Sequence, residues 1–436
     1  MSIISEPMIS SWTGPLPKHW NTAKLKWLSK IYAGGTPDKS NSAYWENGTI
    51  PWLNSGTVNQ GIITEYSHLI TEQGFNNSSA KWIEKGNLII ALAGQGKTKG
   101  MVGLTTFRTT CNQSLGVISP GQKIYSKFIY YYLKRSYKNI RGLAGDGKRD
   151  GLNLEMIGSI YVPIPPFDEQ VAIVEFLDIK TSQIDQSIEK RTLLIQLLQE
   201  EKSAVINEAV TRGINSRVPM KGSGIEWLRE MPKHWELAKM KYLGKIKYGL
   251  GQPPKQLENG LPLIRATNIE RGKIVEANMV YVDPDDVPYE RDPVLRENDI
   301  IVVRSGAYTA DSAIIPNKYD GAITGYDMVF RPTTVNAKFI SYGLLSNYIL
   351  YNQLYVHRLR AAQPHLNAEE LGDTIVLIPS LEEQEEIVSH IESEISRIDK
   401  EIELAQKEIE LLKEYRGALI SEAVTGKIDV RDYPLN

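Results

Sequence analysis

Two stretches of the chain carry apolar residues at intervals of three or four positions. In the second stretch these positions are Ile387, Ile391, Ile395, Ile398, Ile402, Ala405, Ile409, Leu412, Leu419 and Ala423. Counting back 214 residues reaches a matching series, Ile184, Ile188, Ile195, Leu198, Val205 and Ala209, which Arg191 interrupts. Such spacing predicts two helices of about 45 residues, each roughly 65 Å long, with one apolar stripe. Because a helix with one apolar stripe is unstable alone in water, we expect the two helices to pair with each other.

The repeat extends beyond these helices. Ile164–Val174 returns as Ile378–Val388, with the pattern Pro-x-x-x-Glu-Gln in both copies, and Pro17–Trp20 returns as Pro232–Trp235. A unit of this size is far longer than the repeats of solenoid proteins, so we interpret it as a duplicated domain followed by a long helix. Antiparallel pairing of the two helices as a coiled coil would then relate the copies by pseudo-twofold symmetry.

The segments between the helices alternate short apolar runs with glycine and proline. Asn87–Ala91 and Asp299–Val303 are predicted to be strands, and each leads into a glycine-bearing loop, Gly94–Gly100 or Arg304–Tyr308. Short strands, many turns and a few helices predict two mixed α/β domains, and hence the α+β class. The predicted boundaries are 1–163 and 216–377 for the domains, 164–215 and 378–429 for the long helices, and 430–436 for a tail. Because the loops of the two domains differ most, we expect each domain to present its own recognition surface.

Charge separates the long helices from the rest of the chain. The 436 residues carry a formal net charge of −2. Residues 168–215 hold 9 acidic and 5 basic side chains and residues 382–429 hold 14 and 6, so the remaining segments are net positive, as suits contact with nucleic acid. One cysteine, Cys111, excludes an intrachain disulfide, and no apolar run has the length of a membrane span. We therefore expect a cytoplasmic protein with no membrane contact.

The doubled Pro-x-x-x-Glu-Gln-x-x-Ile-Val motif, the doubled long helix and the Pro-x-x-Trp that opens each domain resemble the specificity subunit of type I restriction–modification enzymes. The resemblance covers essentially the whole chain, with Ser380 in place of the proline found at Pro166. It implies two target recognition domains, each of which reads one half of a bipartite site in double-stranded DNA. It also implies that the long helices separate the two halves.

The same resemblance implies partners. Two methyltransferase subunits, which methylate adenine, are expected to dock on the long helices, and restriction (motor) subunits are expected to complete the complex. On this interpretation the chain has no active site and binds no cofactor itself. S-adenosylmethionine, ATP and Mg are expected on the partner subunits.

Some motifs suggest other interpretations. Ala91–Thr98 approaches a phosphate-binding P-loop, but the residues after Lys97 predict a turn and a strand where that motif requires a helix. Ile164 occupies the place of the polar residue in the Asn/Asp-Pro-Pro-Tyr/Phe motif of adenine methyltransferases. The aspartates within 283–286 predict an exposed turn. Two alternatives remain: a helical scaffold that joins two partners without DNA specificity, and a nucleotide hydrolase that uses the Lys97 loop.

The candidate DNA contacts are polar residues of loops. Arginine forms paired hydrogen bonds with guanine and Asn or Gln with adenine, whereas lysine mostly neutralises phosphate. In the first domain the candidates are Gln95, Lys97, Thr98, Lys99, Arg108, Lys148 and Arg149. In the second domain they are Arg265, Asn268, Arg304, Ser305, Tyr308, Arg358, Arg360 and Gln363. We expect structural roles for His19 and His234, in the repeated turn, and for the tyrosine run Tyr130–Tyr132, in a helix.

Overall fold

The computed structural model describes residues 12–94, 96–144, 151–358, 364–431 and 433, apart from the side chain of Arg358. The chain divides into two compact units. One unit comprises the described residues up to Arg191 together with those from Lys407 onward, and the other is Thr192–Gln406. Each unit therefore contains one globular domain and a part of both long helices.

The first domain is built from small sheets. Its five-stranded sheet has the order Ser29–Ala33, Leu115–Pro120, Leu88–Ala91, Val102–Thr105 and Ile62–Ile63, antiparallel except for the last pair. A second sheet has the order His68–Ile70, Ile50–Leu53 and Thr110–Cys111, and a further pair joins Asn21–Lys24 to Tyr161–Ile164. The helices are Leu25–Leu28, Glu72–Asn76, Ser126–Arg135, Tyr137–Gly142 and Leu154–Gly158, with 3-10 turns at Ser42–Tyr44 and Ser55–Gln60.

The second domain repeats this plan. Its antiparallel four-stranded sheet has the order Gly244–Tyr248, Met328–Pro332, Ile300–Val302 and Ser312–Ile314. The smaller sheets are Val280–Val282, Gln256–Ile264 and Ile323–Thr324, then Glu236–Lys239 with Ile375–Ile378, Met220–Gly222 with Glu230–Pro232, and Ile269–Glu270 with Lys273–Ile274. The helical segments are Ala337–Leu345, Asn347–Ile349, Leu350–Leu354, Tyr355–Arg358 and Ala368–Gly372. Short 3-10 turns lie at Glu226–Leu228, Met240–Tyr242, Ala266–Asn268, Pro284–Asp286, Tyr289–Arg291 and Asn317–Tyr319.

The central strand of each main sheet is buried on both faces. In Leu88–Ala91 every second residue packs toward the helix that contains Phe128, and the alternate residues pack toward Leu53. Ile300–Val302 likewise divides its side chains between two separate clusters. A strand covered on both faces is apolar at every position, which explains why these runs show no alternation with polar residues. The tyrosines Tyr130–Tyr132 are buried in the first domain, so their predicted packing role is confirmed.

The long helices span Phe167–Arg212 and Leu381–Ala423, with 46 and 43 residues. Within each unit their segments run antiparallel, as the ion pairs between them demonstrate. In the first unit Asp185 pairs with Arg416 at 3.0 Å and Arg191 with Glu408 at 2.5 Å. In the second unit Glu201 pairs with Arg397 at 2.6 Å and Lys202 with Asp399 at 2.7 Å. The predicted antiparallel pairing and the α+β class with two mixed domains are confirmed.

The repeated Pro-x-x-x-Glu-Gln motif fastens each domain to the start of its own helix. Glu169 accepts a hydrogen bond from Trp20 Nε1 at 3.0 Å and lies 2.9 Å from His19 Nε2. The buried side chain of Gln170 accepts from Tyr125 N at 2.7 Å and donates to Pro165 O at 2.9 Å. The second domain repeats these bonds through Glu383 and Gln384. The repeated histidines therefore have the structural role that was predicted for them.

Candidate nucleic-acid interface

In the loop that follows the strand Ile300–Val302, Arg304 lies against two tyrosine rings, those of Tyr248 and Tyr326, which we call the clamp. The guanidinium carbon of Arg304 lies 4.4 Å from the ring centre of Tyr248 and 4.3 Å from that of Tyr326. Both rings are about half exposed, at 45% and 46%. The Nη2 of Arg304 also donates to His365 Nε2 at 3.4 Å. Contact with two aromatic rings restricts the orientation of the guanidinium.

Backbone bonds join this loop to a second one. Leu366 N donates to Arg304 O at 2.7 Å, and Gly306 N donates to Pro364 O at 3.3 Å. Ser305 and His365 form an isolated bridge. Tyr308, on the same loop, is 49% exposed. The structure therefore brings together three predicted contacts, Arg304, Ser305 and Tyr308, beside an exposed surface.

The buried carboxyl of Asp327 is hydrogen-bonded to the backbone of the Arg304 loop. Asp327 Oδ1 accepts a hydrogen bond from Arg304 N at 3.2 Å, and Asp327 O accepts from Gly249 N at 2.9 Å. Burial raises the pKa of the Asp327 carboxyl to about 6, although the nearby backbone amides and Arg304 oppose the shift. Asp327 thus ties the Arg304 loop to the segment that follows Tyr248.

A cavity of about 230 Å³ opens next to this loop and includes Arg265, Ser305, Tyr326 and Asp327 in its wall. Arg265 Nη2 donates to Asn278 O at 2.9 Å. Among the residues that the structure describes, neither Arg265 Nε nor Arg304 Nε has a hydrogen-bond acceptor. The cavity wall combines the polar groups of Arg265, Tyr326 and Asp327 with apolar side chains of the neighbouring loops, and Arg304 lies beside it and not in it.

Asn268 has a different place from the one expected of a DNA contact. Its side chain is fully buried, accepts from Arg265 N at 3.3 Å and donates to Val275 O and Ala277 O, both at 3.2 Å. These bonds use the amide to close the 3-10 turn Ala266–Asn268. We therefore correct its assignment: Asn268 holds the turn that positions Arg265 and does not reach the surface.

In the first domain the described part of the glycine-bearing loop, from position 96 onward, forms a turn. Tyr137 Oη donates to Lys97 O at 2.5 Å, and Met101 N donates to Thr98 O at 3.0 Å before the strand begins at Val102. The expected turn and strand after Lys97 are confirmed. The side chain of Lys97 is exposed, that of Thr98 is half-buried and that of Lys99 is only 9% exposed. Lys97 is thus the member of this trio that is free to reach outward, and the burial of Lys99 is a correction.

Arg108 lies apart from that loop. Lys97 precedes the strand Val102–Thr105 and Arg108 follows it, so the two occupy opposite ends of one strand. Arg108 stacks 3.9 Å from the ring centre of Trp82 and pairs with Glu84 at 3.0 Å. The predicted contacts Gln95, Lys148, Arg149, Arg360 and Gln363, and the side chain of Arg358, lie outside the described residues.

Sequence reasoning missed the residues that hold Arg304. Tyr248 ends a strand, Tyr326 and Asp327 precede another, and His365 belongs to a third segment. The exposed tyrosines next to glycines were the available signal, since such residues often mark ligand-binding loops. Only the pairing of Gly244–Tyr248 with Met328–Pro332 brings the two rings to one place.

The helices of the described residues include none that combines the length and the apolar character of a membrane span. In the same residues, no group of three or more His, Cys, Asp or Glu side chains is placed to hold a metal ion.

A family model and named relatives of this chain indicate the same family. A family model described as the type I restriction modification DNA specificity domain matches residues 17–199 and again residues 232–414. The chain is 23% identical to the type I restriction enzyme MjaIX specificity subunit of Methanocaldococcus jannaschii, over 96% of each chain. It is 21% identical to the EcoKI specificity subunit of Escherichia coli K12, over 87% of this chain and 82% of that one.

Solved structures share the fold. A chain solved in a study of complex assembly and conformational transition of the type I R-M system has a TM-score of 0.74 at 14% identity, and covers 95% of this chain and 100% of its own. The HsdS subunit from Thermoanaerobacter tengcongensis has a TM-score of 0.56 at 16% identity, over 95% and 98%. With two matches to the family model that together cover most of its length, the chain belongs to the type I restriction–modification DNA specificity family and carries two recognition domains.

Proposed function

We propose that this chain is the non-catalytic DNA-reading subunit of a type I restriction–modification complex, and that each domain reads one half of a bipartite double-stranded target. One observation carries the proposal. Leu152 N donates to Leu92 O at 2.8 Å just as Leu366 N donates to Arg304 O at 2.7 Å, so Leu92 and Arg304 occupy equivalent positions. The two domains thus share a backbone framework but carry an apolar residue at this position in one case and an arginine in the other. Such a difference is expected if the two domains recognise different DNA sequences.

The exposed groups of both domains suit DNA. In the second domain we retain Arg265, Arg304, Ser305 and Tyr308 as contacts. Arg265 and Ser305 line one cavity, and Arg304 and Tyr308 belong to the same loop as Ser305. In the first domain we retain Lys97 and Arg108 among the described candidates. Their cationic side chains attract phosphate, and arginine can in addition bond to base edges. The candidates outside the described residues stay predictions.

We assign partner docking to the long helices. Their outer faces are acidic and also expose the apolar side chains Leu193, Leu197, Leu404, Leu411 and Tyr415. Exposed apolar side chains on a charged helix are typical of surfaces that bind another protein. In this proposal two adenine-N6 methyltransferase subunits and the restriction subunits bind there. Those partners carry S-adenosylmethionine, ATP and Mg, and the present chain supplies the recognition of DNA.

Binding of the purified full chain to duplex DNA at increasing salt tests the proposal against a scaffold without DNA specificity. A DNA reader loses affinity linearly on a log–log plot, with a slope of about −0.9 for each phosphate contact. Lys97→Ala should make that slope shallower by about one contact, with little effect on sequence preference. Absence of salt-dependent binding would favour the scaffold.

A further inference from the structure

We propose that Arg304 reads a guanine in the half-site of the second domain, and that Tyr248 and Tyr326 hold it in the reading orientation. This inference rests on the proposed function, because it specifies which base one of the two domains recognises. Arg304 is the base-contacting residue in this proposal, and the two tyrosines are positioning residues.

The first step is that the clamp fixes the plane of the guanidinium. The two ring centres lie 4.4 and 4.3 Å from the guanidinium carbon, on one ring that ends a strand and one that precedes the neighbouring strand. An arginine side chain that is free in solution must lose its rotamer freedom when it binds. Here the aromatic rings have already restricted that freedom, so a ligand that fits the orientation binds with a smaller entropic cost.

The second step is that the donors of Arg304 are largely unused. A guanidinium has five N–H donors, and the described residues provide one hydrogen-bond acceptor for them, His365 Nε2 at 3.4 Å. Asp327 accepts from the backbone amide of Arg304, and its carboxyl interacts with the guanidinium only through the electrostatic field and not through a hydrogen bond. The Nε donor is buried and has no acceptor among the described residues. The Nη1 and Nη2 groups are therefore the part of the guanidinium that an external acceptor pair can meet.

The third step identifies that acceptor pair. Guanine presents O6 and N7 on its major-groove edge, and these match the parallel N–H groups of arginine. Phosphate also accepts from arginine, but a backbone contact needs charge more than a fixed plane, so a clamp on both faces adds little to it. The clamp therefore favours a base contact.

The first domain provides an internal comparison. Leu92, which occupies the equivalent position, is 8% exposed and packs into the core. It has no donor for a base edge. The first domain must consequently read its half-site through other residues, and the guanine contact proposed for Arg304 has no counterpart at that position.

Selection of duplexes from a randomised DNA library by the full chain tests this inference. The wild type should enrich a split sequence with an invariant guanine in one half. Arg304→Lys keeps the charge and removes the fork, so the preference for that guanine should fall by about 5- to 150-fold while the other half stays unchanged. Tyr326→Ala should weaken the same preference less. Tyr289→Ala, which removes an exposed tyrosine of the same domain outside the clamp, should leave the enriched sequence unaltered.

The contrary outcomes separate two failures. If Arg304→Lys still enriches the same guanine, or if Arg304→Ala lowers affinity equally for every sequence and makes the salt dependence shallower, Arg304 contacts phosphate and the inference is overturned. In that case the proposed function stands, because the split sequence is still enriched. If the wild type enriches no sequence at all, both the inference and the proposed function fail.

Discussion

Gly426 packs its backbone against the indole of Trp20. A Cβ atom at Gly426 would lie 3.0 Å from Cη2 of that ring and 2.4 Å from Cγ of Pro17. Gly426 also has a φ of +68°, in the left-handed region. The end of the second long helix thus closes on the turn that opens the first domain. Gly213, with a φ of +77°, has the same relation to Trp235: a Cβ atom at Gly213 would lie 3.3 Å from Cζ2 of that ring.

Gly426→Ala should therefore destabilise the protein. The left-handed backbone alone costs about 1–2 kcal/mol for an L-residue, and the contact with Pro17 adds to it. Gly417, inside the second long helix with no atom near its missing Cβ, is the matched control. Gly417→Ala should stabilise by about 0.5–1 kcal/mol, because glycine is a poor helix former. The midpoint of thermal unfolding should fall in Gly426→Ala and rise in Gly417→Ala, relative to the wild type. Equal shifts of the midpoint in the two variants would contradict the proposed close contact at Gly426.

Glu169→Ala should cost about 1.5–3 kcal/mol of stability, since it removes a charged acceptor and leaves the indole N–H of the buried Trp20 without it. Glu175, six residues further along the same helix, is exposed and serves as the control. Glu175→Ala should change the free energy of unfolding by less than about 0.5 kcal/mol. Urea titration measures both. A similar loss in the two variants would mean that Glu169 does not fasten the domain.

The helix pair should depend on its buried seam far more than on its ion pairs. Ile398 is fully buried, whereas Glu408, the partner of Arg191, is half exposed. Ile398→Ala should cost about 2–5 kcal/mol, because it removes packed atoms and leaves a cavity. Glu408→Ala should cost less than about 1 kcal/mol. Chemical denaturation at low and at high salt measures both losses. A larger loss of stability in Glu408→Ala than in Ile398→Ala would contradict the dominant role of the buried seam.

Asp327→Asn should change how stability depends on pH. The wild-type carboxyl binds its proton more tightly in the folded chain, with a pKa of about 6, than at its ordinary value of 3.8. The contribution of Asp327 to wild-type stability should therefore fall as the pH rises from about 4 to about 6, by about 3 kcal/mol. Asparagine keeps an acceptor for Arg304 N and does not become charged. The free energy of unfolding of the variant should therefore rise relative to that of the wild type over that interval, and the difference should be constant at higher pH. Unfolding measured from pH 4 to pH 8 checks this; a difference that is constant with pH would refute it.

Much of the fold was predictable because its signals are local and repeated. The spacing of Ile387, Ile391 and Ile398 fixes one face of a helix, and the same spacing 214 residues earlier supplies its partner. The repeated Glu-Gln pair could be recognised as a motif, but its role needed the structure. Trp20 and Glu169 are far apart in the chain, and their bond follows from how the first strand and the long helix meet.

The candidate site was predictable only in part, for a physical reason. Arg304, Ser305 and Tyr308 follow one strand, so a single loop prediction captured all three. The two tyrosines that contact Arg304 lie at the end of one strand and just before another, and these strands pair across the sheet, which local sequence does not reveal. Asn268 and Lys99 were predicted to be surface residues. In the structure Asn268 is buried by its hydrogen bonds to the backbone of the turn, and Lys99 is buried as well.

Mapping of methylated adenines across a genome tests the central claim most directly. The measurement compares cells that express this chain together with its cognate methyltransferase subunits and cells that express the methyltransferase subunits alone. The account predicts adenine methylation at one split sequence in the first culture and none at that sequence in the second. Methylation at the same sites in both cultures, or at no defined sequence in either, would contradict it.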